Sequence, residues 1–191
     1  MSQDKITRMQ WTKWHHRLQK KLIKQNELLP QGACLLIAVS GGQDSMALIK
    51  LLLDLQRIHD WKLNIWHGDH GWHKNSIQIA NELQQWCLMQ NLQFFCDHAN
   101  KEETKNEKEA RDWRYENLFK TVLTLCLSKE DQENCRVLTG HTGSDRAESL
   151  IMNLARGSDL AGLTSLREKR ILKENIKLIR PLLDFNRNET K

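Results

Sequence analysis

The stretch from Cys34 to Leu53 changes its periodicity in the middle, and that change restricts the fold more than any other feature of the chain. Cys34-Leu35-Leu36-Ile37-Ala38-Val39 is short, continuously apolar and bounded by Gly32, whereas Met46 to Leu53 is apolar over a longer span; Ser40-Gly41-Gly42-Gln43-Asp44-Ser45 lies between them. A continuous short run suits a strand buried on both faces, as in a parallel sheet, and the longer run suits a helix. The string is therefore read as strand, loop and helix. Gly41 and Gly42 remove side chains where a backbone must approach an anion, and the helix start behind them offers unpaired N–H groups and partial positive charge. Ser40 and Ser45 add hydroxyl donors, and Asp44 adds a carboxylate suited to magnesium. Taken singly, these residues would only cap a helix and turn the chain; the whole string after a strand favours a phosphate site. A Walker loop would need a lysine that is missing here, and the dinucleotide fingerprint Gly-x-Gly-x-x-Gly is missing too.

The remainder of the chain reads as alternating strands and helices. Trp11, Trp14, Leu18 and Leu22 fall at helical spacing toward Leu29-Pro30, and the His15-His16 pair on that helix is read as surface. Lys62 to Trp66 alternates like a second strand and runs into the loop His67-Gly68-Asp69-His70-Gly71, whose polar groups suit hydrogen bonding to a ligand. A helix with Ile77, Ala80, Leu83, Trp86 and Cys87 on one face precedes a third strand, Leu92 to Cys96. In the helix starting near Glu107, Tyr115, Leu118, Phe119, Val122 and Cys126 form the inward stripe, which Arg111 and Arg114 continue by the i, i+4 rule. Guanidiniums on a core-facing row need anionic partners, either protein carboxylates or a ligand's phosphates. Lys129 to Asn134 is a polar connection and Arg136 to Gly140 a fourth strand, delivering His141-Thr142-Gly143-Ser144-Asp145-Arg146-Ala147-Glu148 to a further helix. Asp145 and Glu148, three apart, share a helical face. Arg156 to Gly162 is a second glycine-bearing loop, and Leu178 to Leu183 a last, edge-type strand ended by Pro181.

Such alternation implies an α/β fold, a Rossmann-like parallel sheet with helices on both faces. Strand C-termini and helix N-termini then share one rim, where open α/β sheets bind ligands. Ser40 to Ser45, His67 to His70, Arg111 with Arg114, and His141 to Glu148 all fall at such junctions.

At 191 residues, one core and one domain are expected. With 39% hydrophobic and 28% charged residues the composition is that of a globular protein; no apolar run approaches a membrane span and no signal-peptide core stands at the N-terminus, so a cytoplasmic location without membrane contact is expected. The five cysteines contain no Cys-x-x-Cys pair, which suits reduced core thiols rather than a zinc or iron–sulfur centre. A net charge of +5 is compatible with a nucleic-acid partner.

The loop Ser-Gly-Gly-Gln-Asp-Ser at Ser40 to Ser45 resembles that of the ATP pyrophosphatases, the PP-loop proteins, which include GMP and NAD synthetases and several tRNA-modifying enzymes. Adding His67-Gly-Asp-His-Gly71, Glu109-Ala-Arg-Asp-Trp-Arg-Tyr115, Gly140 to Glu148, Arg156-Gly157 and Ile179-Arg-Pro-Leu-Leu183, the ordered set resembles the N-terminal catalytic domain of the tRNA(Ile)-lysidine synthetases. The resemblance implies an adenine nucleotide α-hydrolase-like domain over residues 34–185, preceded by a leading helix in residues 1–33 and followed at 186–191 by the start of a linker to a truncated region. It also implies ligation of free L-lysine to the wobble cytidine of tRNA(Ile) with a CAU anticodon, and leaves room for a homodimer. ATP would be held by Ser40, Gly41, Gly42, Gln43, Asp44, Ser45, His67, Asp69 and His70; Asp44 and Asp145 would hold Mg2+; and Asp44, Arg111, Arg114, His141 and Asp145 would act in catalysis. The chain departs from the family's pattern at Gly143-Ser144 and Ser149, where acidic residues and threonine are usual, and at Trp72-His73, where an arginine is usual. Three other readings remain: a related PP-loop enzyme that thiolates a tRNA base, amide-forming ligation on a small molecule, and a nucleotide-binding fragment without turnover.

Overall fold

The computed structural model describes residues 11–72, 75–100, 102–155, 157 and 166–190. Residues 1–10, His73 and all of the 156–162 loop except Gly157 lie outside the described residues. In chain order the elements are α1 (Lys13–Lys24), β1 (Cys34–Ala38), α2 (Gln43–His59), β2 (Lys62–Asp69), α3 (Ser76–Met89), β3 (Gln93–His98), α4 (Glu107–Leu125), α5 (Lys129–Asn134), β4 (Arg136–Thr139), α6 (Gly143–Ala155), β5 (Lys169–Lys173) and β6 (Ile176–Ile179), with a 3-10 turn at Arg187–Glu189. The strands form one sheet in the order β3-β2-β1-β4-β6-β5, parallel throughout except for the antiparallel β5–β6 pair. The expected Rossmann-like fold is borne out, with the order of strands reversing direction beside β1, the switch point at which such sheets bind ligands.

The side chains of β1 explain why this strand is central. Leu35 and Ile37 enter a core built with Leu18 and Leu22 of α1, Leu48, Leu52 and Leu55 of α2, and Leu83 of α3; Leu36 points the other way, into a core with Leu118, Phe119 and Val122 of α4. Alternation along the strand thus feeds both faces, and each fully buried aliphatic side chain contributes roughly 1.5–3 kcal/mol. Helix α4 begins where the Asn106 side chain accepts the amide of Glu109, 3.0 Å away, a cap that fixes how its stripe meets the sheet.

Several expectations are corrected. His15 is 5% exposed, not a surface residue, and its Nε2 lies 2.9 Å from the Asp54 carboxylate of α2. His67 and Asp69 belong to β2 itself rather than to a loop after it, because pairing with β3 continues to Asp69–His98. The 129–134 connection is a short helix capped by Ser128. The last strand is β6, and it lies inside the sheet between β4 and β5. It ends before Arg180, whose amide donates to Glu168 O at 2.8 Å, and Pro181, which has no N–H to give, starts a turn that sends Leu182 and Phe185 into the core. The true edge, β5, is Lys-Arg-Ile-Leu-Lys with Ile171 64% exposed, a charged composition that protects an edge and hides the strand from a reading based on apolar runs.

Candidate functional site

The loop after β1 meets the N-terminus of α2 as its composition requires. Gly41 has φ +82°, a left-handed conformation that L side chains rarely adopt, and Gly42 is the N-cap of α2. The Ser40 hydroxyl oxygen accepts the Gly42 amide at 3.3 Å, while the Ser45 hydroxyl donates to Gly42 O at 2.8 Å, so the two serines fold the loop around the helix start. Gly140, directly after β4, completes the cradle: a Cβ there would lie 2.9 Å from the backbone N and Cα of Ser45. The result is a helix N-terminus opening onto a cavity of about 420 Å³.

Ser40, Gly42, Gln43, Asp44, Ser45, His67, Asp69, His70, Arg114, His141 and Asp145 all line this cavity. Gly41 shapes the loop without lining it, and Arg111 lines a neighbouring cavity instead. His67 is buried and its Nδ1 lies 2.7 Å from Val39 O, so that nitrogen is the donor, tying β2 to the end of β1 and leaving Nε2 as an acceptor. Burial works to raise the Asp69 pKa, but the Gly71 amide at 2.8 Å, Ser76 and His98 at 3.2 Å together outweigh it and lower the value, keeping the carboxylate charged. His70 packs edge-on against Trp113 at 5.1 Å, and its buried Nδ1 has no hydrogen-bond partner. Burial and then the charge of Arg114 lower its pKa. Arg114 is itself withdrawn from water, which together with Arg111 lowers its own pKa; neither arginine has a carboxylate partner among the described residues.

On the other side of the loop, β4 and α6 supply the remaining groups. His141 Nδ1 lies 2.8 Å from the Thr139 hydroxyl, and burial first, then Arg180, lowers its pKa to about 4. Asp145 Oδ2 accepts from the Thr142 amide at 2.6 Å and the Thr142 hydroxyl at 3.0 Å. Burial pushes its pKa up, and these bonds with Arg187 bring it below the ordinary value. Its other oxygen, Oδ1, takes Arg187 Nη2 at 2.6 Å; Nη1 of the same guanidinium binds Glu148 at 2.9 Å and Nε lies 3.7 Å from Asp44 Oδ2. Thr190 hydrogen-bonds Asp44 as well, and Gln43 Nε2 donates to Arg187 O at 2.9 Å. Asp44, Asp145 and Glu148 therefore converge on one cation. Two of these carboxylates are the expected magnesium ligands, and their hard oxygen atoms facing a shared positive centre fit such an ion. Reasoning from the sequence missed Arg187 and Thr190; the ion pair to Asp145 spans 42 residues, and no local pattern signals it.

The cysteines assemble elsewhere. The thiols of Cys34, Cys126 and Cys135 lie within 4.8 Å of one another where β1 and β4 begin, at the sheet edge opposite the cavity.

A parallel sheet with a glycine–serine loop feeding a helix N-terminus at its switch point, with carboxylates beside it, defines a Rossmann-like protein with a phosphate-binding rim. Residues 12–191 match the PP-loop domain family, an ATP-binding one, and the chain belongs to that family. A tRNA(Ile)-lysidine synthase of Prochlorococcus marinus is 58% identical over 94% of this chain and 54% of its own length. One from a Synechococcus strain is 45% identical over 94% and 53%, and a chloroplastic one from Pyropia yezoensis 37% identical over 88% and 49%. The chain spans about half the length of these curated relatives. Among solved structures, the U34-tRNA thiolase NcsA of Methanococcus maripaludis superposes with a TM-score of 0.71 at 18% identity, covering 92% of this chain and 61% of that one, a likeness of fold. No helix among the described residues is long and apolar enough to cross a membrane.

Proposed function

We propose that this chain ligates free L-lysine to the wobble cytidine of an isoleucine tRNA with a CAU anticodon, using ATP and releasing AMP and pyrophosphate. The observation that carries this reading is that the loop, His67 to His70, Arg114 and His141 to Asp145 line one cavity in a chain 58% identical to a tRNA(Ile)-lysidine synthase. The amides at the start of α2 and the Ser40 and Ser45 hydroxyls take the pyrophosphate half of ATP. The cytidine carbonyl oxygen attacks the α-phosphorus and pyrophosphate leaves. The lysine amine then adds to the activated ring carbon, its proton passes to solvent, and AMP departs with the former carbonyl oxygen. Arg114, with Arg111 one turn before it, offsets charge that grows on the phosphate. Asp44 and Asp145 would hold Mg2+, which supplies further neutralisation along the phosphates. His141, neutral at physiological pH because its pKa is about 4, orients the nucleotide by hydrogen bonding and is no proton donor there. Thiolation is disfavoured because the named relatives at 37–58% identity are lysidine synthases.

Pyrophosphate release tests the proposal. It should require ATP, Mg2+, lysine and the CAU-anticodon tRNA together; full turnover without lysine, or with sulfide as sole acceptor, would overturn it.

A further inference from the structure

A second cavity of about 560 Å³ is lined in part by α4, the helix that also lends Arg114 to the nucleotide cavity. Its lining brings Lys108 and Arg111 from α4 together with Arg167, Arg170 and Arg180 from the segment around β5 and β6. Glu107 is the one carboxylate among the described lining residues. None of the four arginines forms an ion pair among the described residues. Arg180 is only 2% exposed; its Nη1 donates to Arg167 O at 2.6 Å, but its buried Nε has no acceptor. Arg170 repeats the pattern, with its guanidinium 4.3 Å above the Tyr115 ring and a buried Nε without a partner.

Withdrawing guanidinium groups from water without an anion is costly, and a buried donor left unsatisfied forfeits its hydrogen bond outright. Two such groups, Arg170 and Arg180, face one cavity with the exposed Arg111 and Arg167 beside them, an arrangement that receives oxyanions, since each planar fork can bind two oxygens of a phosphate. The excess of cations over carboxylates is more than a single amino-acid carboxylate would need, and it suits the repeated charge of a polynucleotide backbone. Position agrees with this. Arg111 and Arg114 stand on successive faces of α4, the first in the arginine cavity and the second in the nucleotide cavity. A step of three residues along one helix thus links the arginine cavity to the nucleotide cavity.

We infer that the arginine cavity is the docking site for a phosphodiester of the RNA substrate flanking the reacting base. The inference rests on the proposed tRNA reading and deepens it by naming the surface that grips the backbone. Arg167 and Lys108 are exposed, so replacing them leaves the core untouched. The experiment measures binding of the CAU-anticodon tRNA to the 191-residue chain by fluorescence anisotropy across a salt series, beside ATP affinity and the KM for lysine. In the double variant Arg167→Gln with Lys108→Gln, the tRNA Kd should rise about tenfold or more, and the slope of log K against log salt should fall by about one for each cation removed. Arg170→Gln should act in the same direction, with ATP affinity and the lysine KM unchanged. Unchanged RNA affinity and slope in the double variant would overturn the inference. So would a raised lysine KM with RNA binding intact, which would assign the cavity to a carboxylate, or competition by inorganic phosphate for ATP but not for RNA. Failure of lysine-dependent pyrophosphate release in the unaltered chain, with the RNA effect present, would instead overturn the ligation reading and leave the docking site standing.

Discussion

His141 is held neutral by burial first, then by Arg180, with Arg114 and Arg111 adding to the effect and Asp145 opposing it. A histidine whose folded pKa is about 4 against an ordinary 6.5 refuses a proton that the unfolded chain accepts. Stability from this group is therefore fully present above about pH 6.5 and declines as the pH falls toward 4, by roughly 3 kcal/mol in full. His59 and His70, whose pKa values burial also lowers, add in the same direction. We expect His141→Gln to flatten the loss of urea resistance on acidification without abolishing it. A variant with the same slope as the unaltered chain would show that His141 is not the group that titrates. The residue could be singled out from its sequence position after a strand, but its neutrality could not, because Arg180 and Arg114 reach it from segments distant in the chain.

Among elements, the contact between the end of β4 and the first turn of α2 sets the shape of the nucleotide loop. A methyl group at position 140 would meet the Ser45 backbone at 2.9 Å, and a helix N-terminus packed on both sides has no flexible side chain to yield. Gly140→Ala should therefore weaken ATP binding about tenfold or more, consistent with an overpacking cost of roughly 1–3 kcal/mol, as read by calorimetric titration. Gly42→Ala, where the added carbon would meet only the Ser40 hydroxyl at 3.3 Å, should cost less. Equal affinities in the two variants would argue against the close approach as the determinant. The elements themselves were legible where burial imposed periodicity: β1, α2, α3 and the stripe of α4 follow their apolar spacing into the two cores. Helix α6 shows the limit of that signal. Leu150, Ile151, Met152 and Leu154 fit an apolar helix, yet none of its side chains is buried among the described residues. Arg111 likewise continues the spacing of an inward stripe but is exposed and lines the arginine cavity instead of the core.

At the scale of the molecule, the rim was legible because β1, β2 and β4 each carry a polar cluster at their own C-terminal end, so their parallel pairing assembles them without further instruction. What was not legible is the return of residues 185–190 across that rim. Phe185 is buried in the core beside Trp14 of α1, Phe185 O accepts the Gly143 amide at 2.7 Å, and Arg187 reaches three carboxylates from α2 and α6. These contacts bind the start of the chain, the nucleotide loop and the final turn together through tertiary packing alone. Removing the guanidinium should leave Asp44 and Asp145 without their shared cation. Arg187→Ala is accordingly expected to lower the Mg2+ concentration at which ATP binding is half-maximal, measured by titrating Mg2+ at fixed ATP. A higher requirement would mean that Arg187 assists the ion rather than competing with it. Seen as ion exchange, the carboxylates resemble a resin that arrives already loaded: on the proposed reading a divalent ion would not enter a bare negative pocket but would trade places with a tethered counter-ion. On that reading such an exchange would free Arg187 beside the nucleotide loop, and loading of the nucleotide would be linked to movement of residues 185–190.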